Sequence, residues 1–105
     1  MIRVNVLYSR KDGARFDWSY YIGTHMPLVG RKLGAALMSV SVEQGVAGGS
    51  PGSAPTFVAM AHLTFESVPA FQAAFTPHAA EIMADISKYT SIEPIIQISE
   101  VKVGA

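Results

Sequence analysis

Three histidines, His25, His62 and His78, are the side chains of this 105-residue chain whose ordinary titration range lies near neutrality. Cysteine is absent, which removes thiolate nucleophiles, thiolate metal ligands and disulfides. Proton transfer through imidazole is therefore the chemistry that the residue types favour, with Tyr20 and Tyr21 as phenolic donors beside it. The histidines are widely spaced, and no acid–histidine pattern matches a metal site, so no metal is expected.

His25 lies in "YYIGTHMPLVGRKLG", residues 20–34. Around it Trp18, Tyr21, Ile22, Met26, Val29 and Leu33 recur at three- and four-residue steps, the stripe of an amphipathic helix. Asp17 is a natural N-cap, Phe16 can staple onto Tyr21, and Gly34 can end the helix. His25 falls on the apolar stripe, two residues before Pro27. Proline lacks an amide hydrogen and crowds the carbonyl of Gly23, which predicts a kink or break there and a gap beside the imidazole. His25 is accordingly the first candidate for a general base or hydrogen-bond donor facing a cavity, with Tyr21 on the same stripe.

His78 has a similar setting. A second helical stripe runs through Phe71, Phe75, Ala79, Ile82, Met83 and Ile86, and Pro77 interrupts it beside His78. Ser67 can cap its start, Pro69 is tolerated in the first turn, and Thr76 could recap the second half. Trp18, Phe71 and Phe75 read as packing residues. Glu81 and Asp85, four apart, read as a solvated helix face.

Strands must position these helices. "IRVNVLY" (2–8) alternates, with Ile2, Val4, Val6 and Tyr8 on one face and Arg3, Asn5 and Leu7 on the other. A second strand is predicted over 37–45 and a third over 57–65, where Phe57, Ala59, Ala61, Leu63 and Phe65 form a wholly apolar face. A last strand spans 93–103, with the alternation slipping near Ser99 and Glu100 as at a bulge. The segment 45–56 is rich in glycine, serine and proline and reads as a mobile hairpin loop or a pocket lid, not a phosphate loop.

The order β-α-β-β-α-β predicts a single α+β domain over 1–105, ferredoxin-like, with a four-stranded antiparallel sheet and both helices on one face. The other face then shows Asn5, Leu7, Val58, Met60, His62, Thr64, Gln97 and Ser99. That mixture suits the interior of a barrel made by two copies packed sheet to sheet, and makes His62, Met60 and Asn5 candidate ligand contacts, with Tyr20 beside them. Half of the residues are apolar and only 15% charged, a low charge fraction for a small monomer, which also favours a homodimer. Net charge is zero with no basic run, so neither nucleic acid nor an anionic membrane is an expected partner. No apolar run approaches the roughly 20 residues of a membrane span, and a cytoplasmic location is the default expectation.

The pattern "FDWSYYIGTHMPLV", with Tyr20, Tyr21, His25, Pro27 and Leu28, resembles the EthD family, named for an ethyl tert-butyl ether degradation cluster. "SVSVEQG", "HLTFESVPAFQAAFTPHAAEIMADI" and "IEPIIQISEVKV" extend the resemblance over essentially the whole chain. The resemblance implies a dimeric α+β barrel of ferredoxin-like subunits. It implies a small oxidoreductase, or a cofactor-free decarboxylase, dehydratase or cyclase, acting on a small hydrophobic, aromatic or polyketide-like molecule. The alternative is an accessory protein of a degradation operon that binds such a molecule without catalysis. Related plant cyclases carry a His-Pro-x-His run where this chain has "TPHA", Thr76 to Ala79. No cofactor is expected, although haem held by one axial histidine, as in related barrels, remains compatible with the residues.

Overall fold

Residues 1–104 are described by the computed structural model. Four strands, β1 (Ile2–Ser9), β2 (Ser39–Gln44), β3 (Phe57–Phe65) and β4 (Ile95–Glu100), form one sheet in the order β2-β3-β1-β4, with every neighbouring pair antiparallel. Both helical runs lie on one face, giving the ferredoxin-like α+β sandwich that the element order predicts. Among the described residues the other face carries no second layer, and they form a slab 19 Å along its thinnest axis.

Register decides which side chains the helices cover. β1 sets Ile2 opposite Phe65, Val4 opposite Leu63, Val6 opposite Ala61 and Tyr8 opposite Ala59, all on the helix side. The small Ala59 and Ala61 keep the centre of this floor low, so the helices approach closely or leave room above it. The buried residues fall into two groups. Ile2, Val4, Val29, Leu33, Ala61, Leu63, Phe65 and Ile82 make an aliphatic end, while Tyr8, Tyr21, Ala59, Tyr89 and Ile92 make an aromatic one.

The first helical run does not break at Pro27. It starts as Trp18–Tyr20, with the Asp17 carboxylate accepting from the Tyr20 amide at 3.1 Å. It then widens into a π segment, Tyr21–His25, and continues as an α-helix, Met26–Leu33. In the π segment the Met26 amide reaches the carbonyl of Tyr21, five residues back. Pro27 then falls in the first turn of the following α-helix, where a missing amide hydrogen is tolerated. The expected kink is thus replaced by a one-residue bulge. Gly34, at φ +63°, takes a left-handed conformation that L-residues with a side chain disfavour, and ends the helix as predicted.

The second run is Val68–Phe75, capped by Ser67, then a 3₁₀ turn Thr76–His78 at Pro77, then Ala79–Asp85 and a last 3₁₀ turn Ile86–Lys88. Pro77 interrupts it as expected, but Thr76 does not recap it: His78 holds the cap position, with no side-chain bond to the helix. The bulge anticipated near Ser99 and Glu100 is also absent, since both pair regularly with β1. The irregularity lies instead between Tyr8 and Ser9, where β1 meets β3. The 45–56 segment is a hairpin loop held by bonds from Gly48 to Ser53 and from Ser53 to Ser50.

The start of one helix is tied to the end of the other. The Arg15 guanidinium donates to the carbonyls of Ser87 and Lys88, at 2.8 and 3.1 Å, which the helix itself leaves without donors. The Asp17 amide donates to the Tyr89 carbonyl, and the Thr90 hydroxyl to the Arg15 carbonyl, both at 2.7 Å. These bonds fix the spacing between the two helices where the candidate histidine lies.

Candidate functional site

A cavity of about 250 Å³ opens between the sheet and the two helices. Val4, Val6, Ala61 and Leu63 form its floor, Met26, Val29, Phe71, Phe75 and Ile82 its walls. Its few polar groups are His25, Tyr21 and Tyr8, at the aromatic end. A largely hydrocarbon chamber with a few polar atoms is the ordinary make-up of a small-molecule site, and this volume is near the small end of that range.

His25 is 4% exposed. Its Nδ1 lies 2.9 Å from Oδ2 of Asp85 on the second helix. Asp85 is also buried, and the Tyr20 hydroxyl donates to its other oxygen at 2.7 Å, with Lys88 at 3.6 Å on the rim. Removal from solvent pushes the Asp85 carboxyl up, but the bonds from His25 and Tyr20, with the Lys88 charge, together hold it below the usual carboxylate value. An ionised carboxylate only accepts, so we assign the imidazole hydrogen to Nδ1. Burial pushes the imidazole below its ordinary value, and the Asp85 carboxylate only partly opposes this. At neutral pH the ring is therefore uncharged, and its Nε2 carries a lone pair. That nitrogen has no hydrogen-bond partner among the described residues, yet it is not sealed within the protein. The arrangement is a base oriented by a carboxylate, with its free nitrogen at the lining of an apolar chamber.

Aromatic rings hold that base in place. Tyr21 stacks on His25 with ring centres 5.8 Å apart and planes 17° from parallel, and Tyr89 lies 4.7 Å from the imidazole on another side. Tyr21 and His25 are the first and last residues of the π segment, so the stack spans it. Burial pushes the phenols of Tyr21 and Tyr89 well up, so both stay protonated at every physiological pH.

The candidates from the sequence separate into four places. His25 and Tyr21 line the cavity. Tyr20 does not line it but braces Asp85 from behind. His78 sits half-buried at the junction of the second helix and does not line the cavity. Asn5, Met60 and His62 are on the opposite face of the sheet, so β1 and β3 themselves separate them from His25. There the Asn5 side chain accepts from His62 Nδ1 at 2.7 Å and donates to Gln97 and Ser99 at 3.2 Å, while His62 Nε2 lies 3.4 Å from Glu43. No residue of the 45–56 loop lines the cavity, so the loop is not its lid. Asp85, read as solvated, is instead the buried partner of His25. Phe71 and Phe75 stack on one another and also form cavity wall. Among the described residues no three His, Asp or Glu side chains gather as a metal site requires, and no helix is long and apolar enough to cross a membrane.

A two-layer α+β sandwich with a histidine-bearing cavity between its layers is the class that fold and site define. The family model for the EthD domain matches residues 14–93, and the chain belongs to the EthD family. A solved EthD-like protein from Ralstonia eutropha JMP134 is similar over 99% of this chain and 94% of its own, at 48% identity and a TM-score of 0.93. An ethyl tert-butyl ether degradation family protein from Bacillus halodurans C-125 aligns over 96% of this chain and 98% of its own, at 24% identity and a TM-score of 0.73. HapK from Hahella chejuensis shares the fold alone, at 13% identity and a TM-score of 0.51, over 100% of this chain and 97% of its own. No curated protein matches the chain.

Proposed function

We propose that this EthD-family protein is an enzyme that moves a proton on a small, mostly apolar molecule bound between helices and sheet. The observation that carries this reading is the buried His25–Asp85 pair, with Nε2 unbonded at the wall of a hydrocarbon cavity. A neutral imidazole held by a carboxylate is suited to take a proton from an acidic C–H or O–H and return it elsewhere on the same molecule. Decarboxylation, dehydration, cyclisation and oxygen-dependent oxidation of aromatic or polyketide-like compounds all include such a step. A substrate that stabilises its own carbanion needs no cofactor for it.

The same reading places a second copy of the chain against the open sheet face, making the barrel. Half-buried Leu7 and Met60 and exposed Ile95 supply apolar area there, and the Asn5–His62–Glu43 group supplies polar contacts. Light scattering on the purified chain tests this part, and a monomer at working concentration would remove it.

The catalytic part is tested by incubating wild type and His25→Gln with 2-tetralone, an enolisable bicyclic ketone, in deuterated water. Proton NMR then follows loss of the α-hydrogens. Exchange by wild type that the variant lacks supports the base. Saturable binding with no exchange in either protein sinks it and leaves an accessory protein that binds without catalysis.

A further inference from the structure

The hydroxyls of Tyr8, on β1, and Tyr89, after the second helix, are 2.5 Å apart, and the distance alone does not say which donates. Their surroundings do. Two hydroxyl hydrogens are present and one lies in the shared bond, so the other must point elsewhere. Tyr89 is 0% exposed, does not line the cavity, and its hydroxyl has no second partner among the described residues. If Tyr8 donated, the Tyr89 hydrogen would be stranded in the core, cut off from water with no acceptor to replace it. If Tyr89 donates, the spare hydrogen belongs to Tyr8, which does line the cavity. The second direction wins. A hydroxyl that accepts one bond is polarised to donate the next more strongly.

Tyr21 adds a second donor. Its hydroxyl has no partner among the described residues and is not sealed in the interior, and its ring packs edge-on against Tyr8 at 5.9 Å. Two phenolic donors and one imidazole acceptor thus mark one end of a chamber that is otherwise hydrocarbon.

We infer that Tyr8, aimed by Tyr89, and Tyr21 hold a ligand oxygen that becomes negative as His25 takes a proton, so that the site selects phenols and enolisable ketones. The inference rests on the cavity reading above. For a phenol, the O–H bond breaks, the hydrogen passes to His25 Nε2, and the electron pair stays on the oxygen, which accepts from Tyr8 and Tyr21. For a ketone, the α C–H electrons move into the enolate and the charge appears on the same oxygen. Tyr8 and Tyr21 touch the ligand. Tyr89 acts through Tyr8 and is a positioning residue.

The probe is 4-nitrophenol, whose yellow phenolate is distinguished from the colourless phenol by absorbance, at a pH below its own pKa. Its partner is 4-nitroanisole, of similar shape with no proton to lose, whose binding is followed by calorimetry. Wild type should bind both and raise the yellow fraction of bound nitrophenol above that in solution. Tyr8→Phe should lower the bound phenolate-to-phenol ratio by about tenfold, the worth of one charge-assisted bond. Tyr89→Phe should lower it by about threefold, although it touches no ligand. The double variant, which leaves neither hydroxyl stranded, should match Tyr8→Phe. Nitroanisole affinity should stay within about twofold throughout, because its contacts are apolar. An unchanged ratio in Tyr8→Phe and the double variant overturns the inference, and so does an equal loss of both ligands, which would mean a packing role. Failure of wild type to bind either compound overturns the cavity reading with it.

Discussion

The two faces of the sheet each carry a histidine next to an acid, and they are built for different ends. On the helix side His25 has one nitrogen tied to Asp85 and the other unbonded. On the open side both nitrogens of His62 meet acceptors, Asn5 at 2.7 Å and Glu43 at 3.4 Å. The Asp85 side chain is 9% exposed, against 55% for Glu43. A base needs a nitrogen with nothing on it, a partner that fixes its tautomer, and shelter from water. His25 has all three, whereas His62 is the middle of a surface network. Residue type does not separate them, but burial and a vacant lone pair do.

The largest expected effect tests that contrast directly. His25→Gln should slow ketone exchange by about 10²- to 10⁴-fold, the range for loss of a positioned base, while His62→Gln should leave it within about twofold. Comparable losses in both would erase the distinction between the two faces. Next in size is Ala61→Leu, which builds a larger side chain up from the cavity floor. It should weaken 4-nitroanisole binding by at least about tenfold without disturbing His25, and unaltered affinity would place the ligand elsewhere.

Stability should separate the faces as well. Asp85→Ala leaves the Nδ1 hydrogen of His25 and the Tyr20 hydroxyl without their acceptor and should cost about 1–3 kcal/mol in urea unfolding. Glu43→Ala, on the exposed pair, should stay within about 0.5 kcal/mol. The smallest effect is in pH. His25 is held below its ordinary value of 6.5 in the folded chain, so the unfolded chain takes up that proton first. Stability should therefore fall as pH drops through and below 6.5, and His25→Gln should flatten that part of the curve. Asp85, also held low, adds a loss at more acid pH with the same sign. A wild-type stability that rises on acidification through this window would contradict the buried neutral imidazole.

The period-two runs of β1 and β3 and the stripes of both helices were enough to place the sandwich and to separate its faces. His25 was legible because it interrupts an apolar stripe that has no use for it. Asp85 was not, because its spacing from Glu81 suggested a solvated pair. Its position three residues after Ile82 and four before Tyr89, two buried neighbours on the same side of the helix, was the available signal. Glu81 reaches Lys32 at 3.3 Å on the exposed side, so only that half of the solvated-face reading holds. Tyr20 carries the same phenolic donor as Tyr21, but adjacent helical residues point about 100° apart, and only Tyr21 lines the cavity. The Tyr8–Tyr89 bond joins positions far apart in sequence and leaves no local pattern. Pro27 suggested a break because proline is costly inside a helix, whereas the π segment leaves it in the first turn of the next α-helix, where its missing amide hydrogen is tolerated.

The π segment also bears on how such a site comes and goes. A π bulge is what remains when a helix keeps its packing on both sides of one inserted residue. Removing an exposed residue inside it, such as Thr24, would return the run to an ordinary α-helix, leave its flanks in register and set Tyr21 and His25 three positions apart instead of four. One codon gained or lost in the gene thus resets how the imidazole sits against the Tyr21 ring. Within this fold, insertions and deletions in residues 21–25 should change chemistry more readily than most substitutions there.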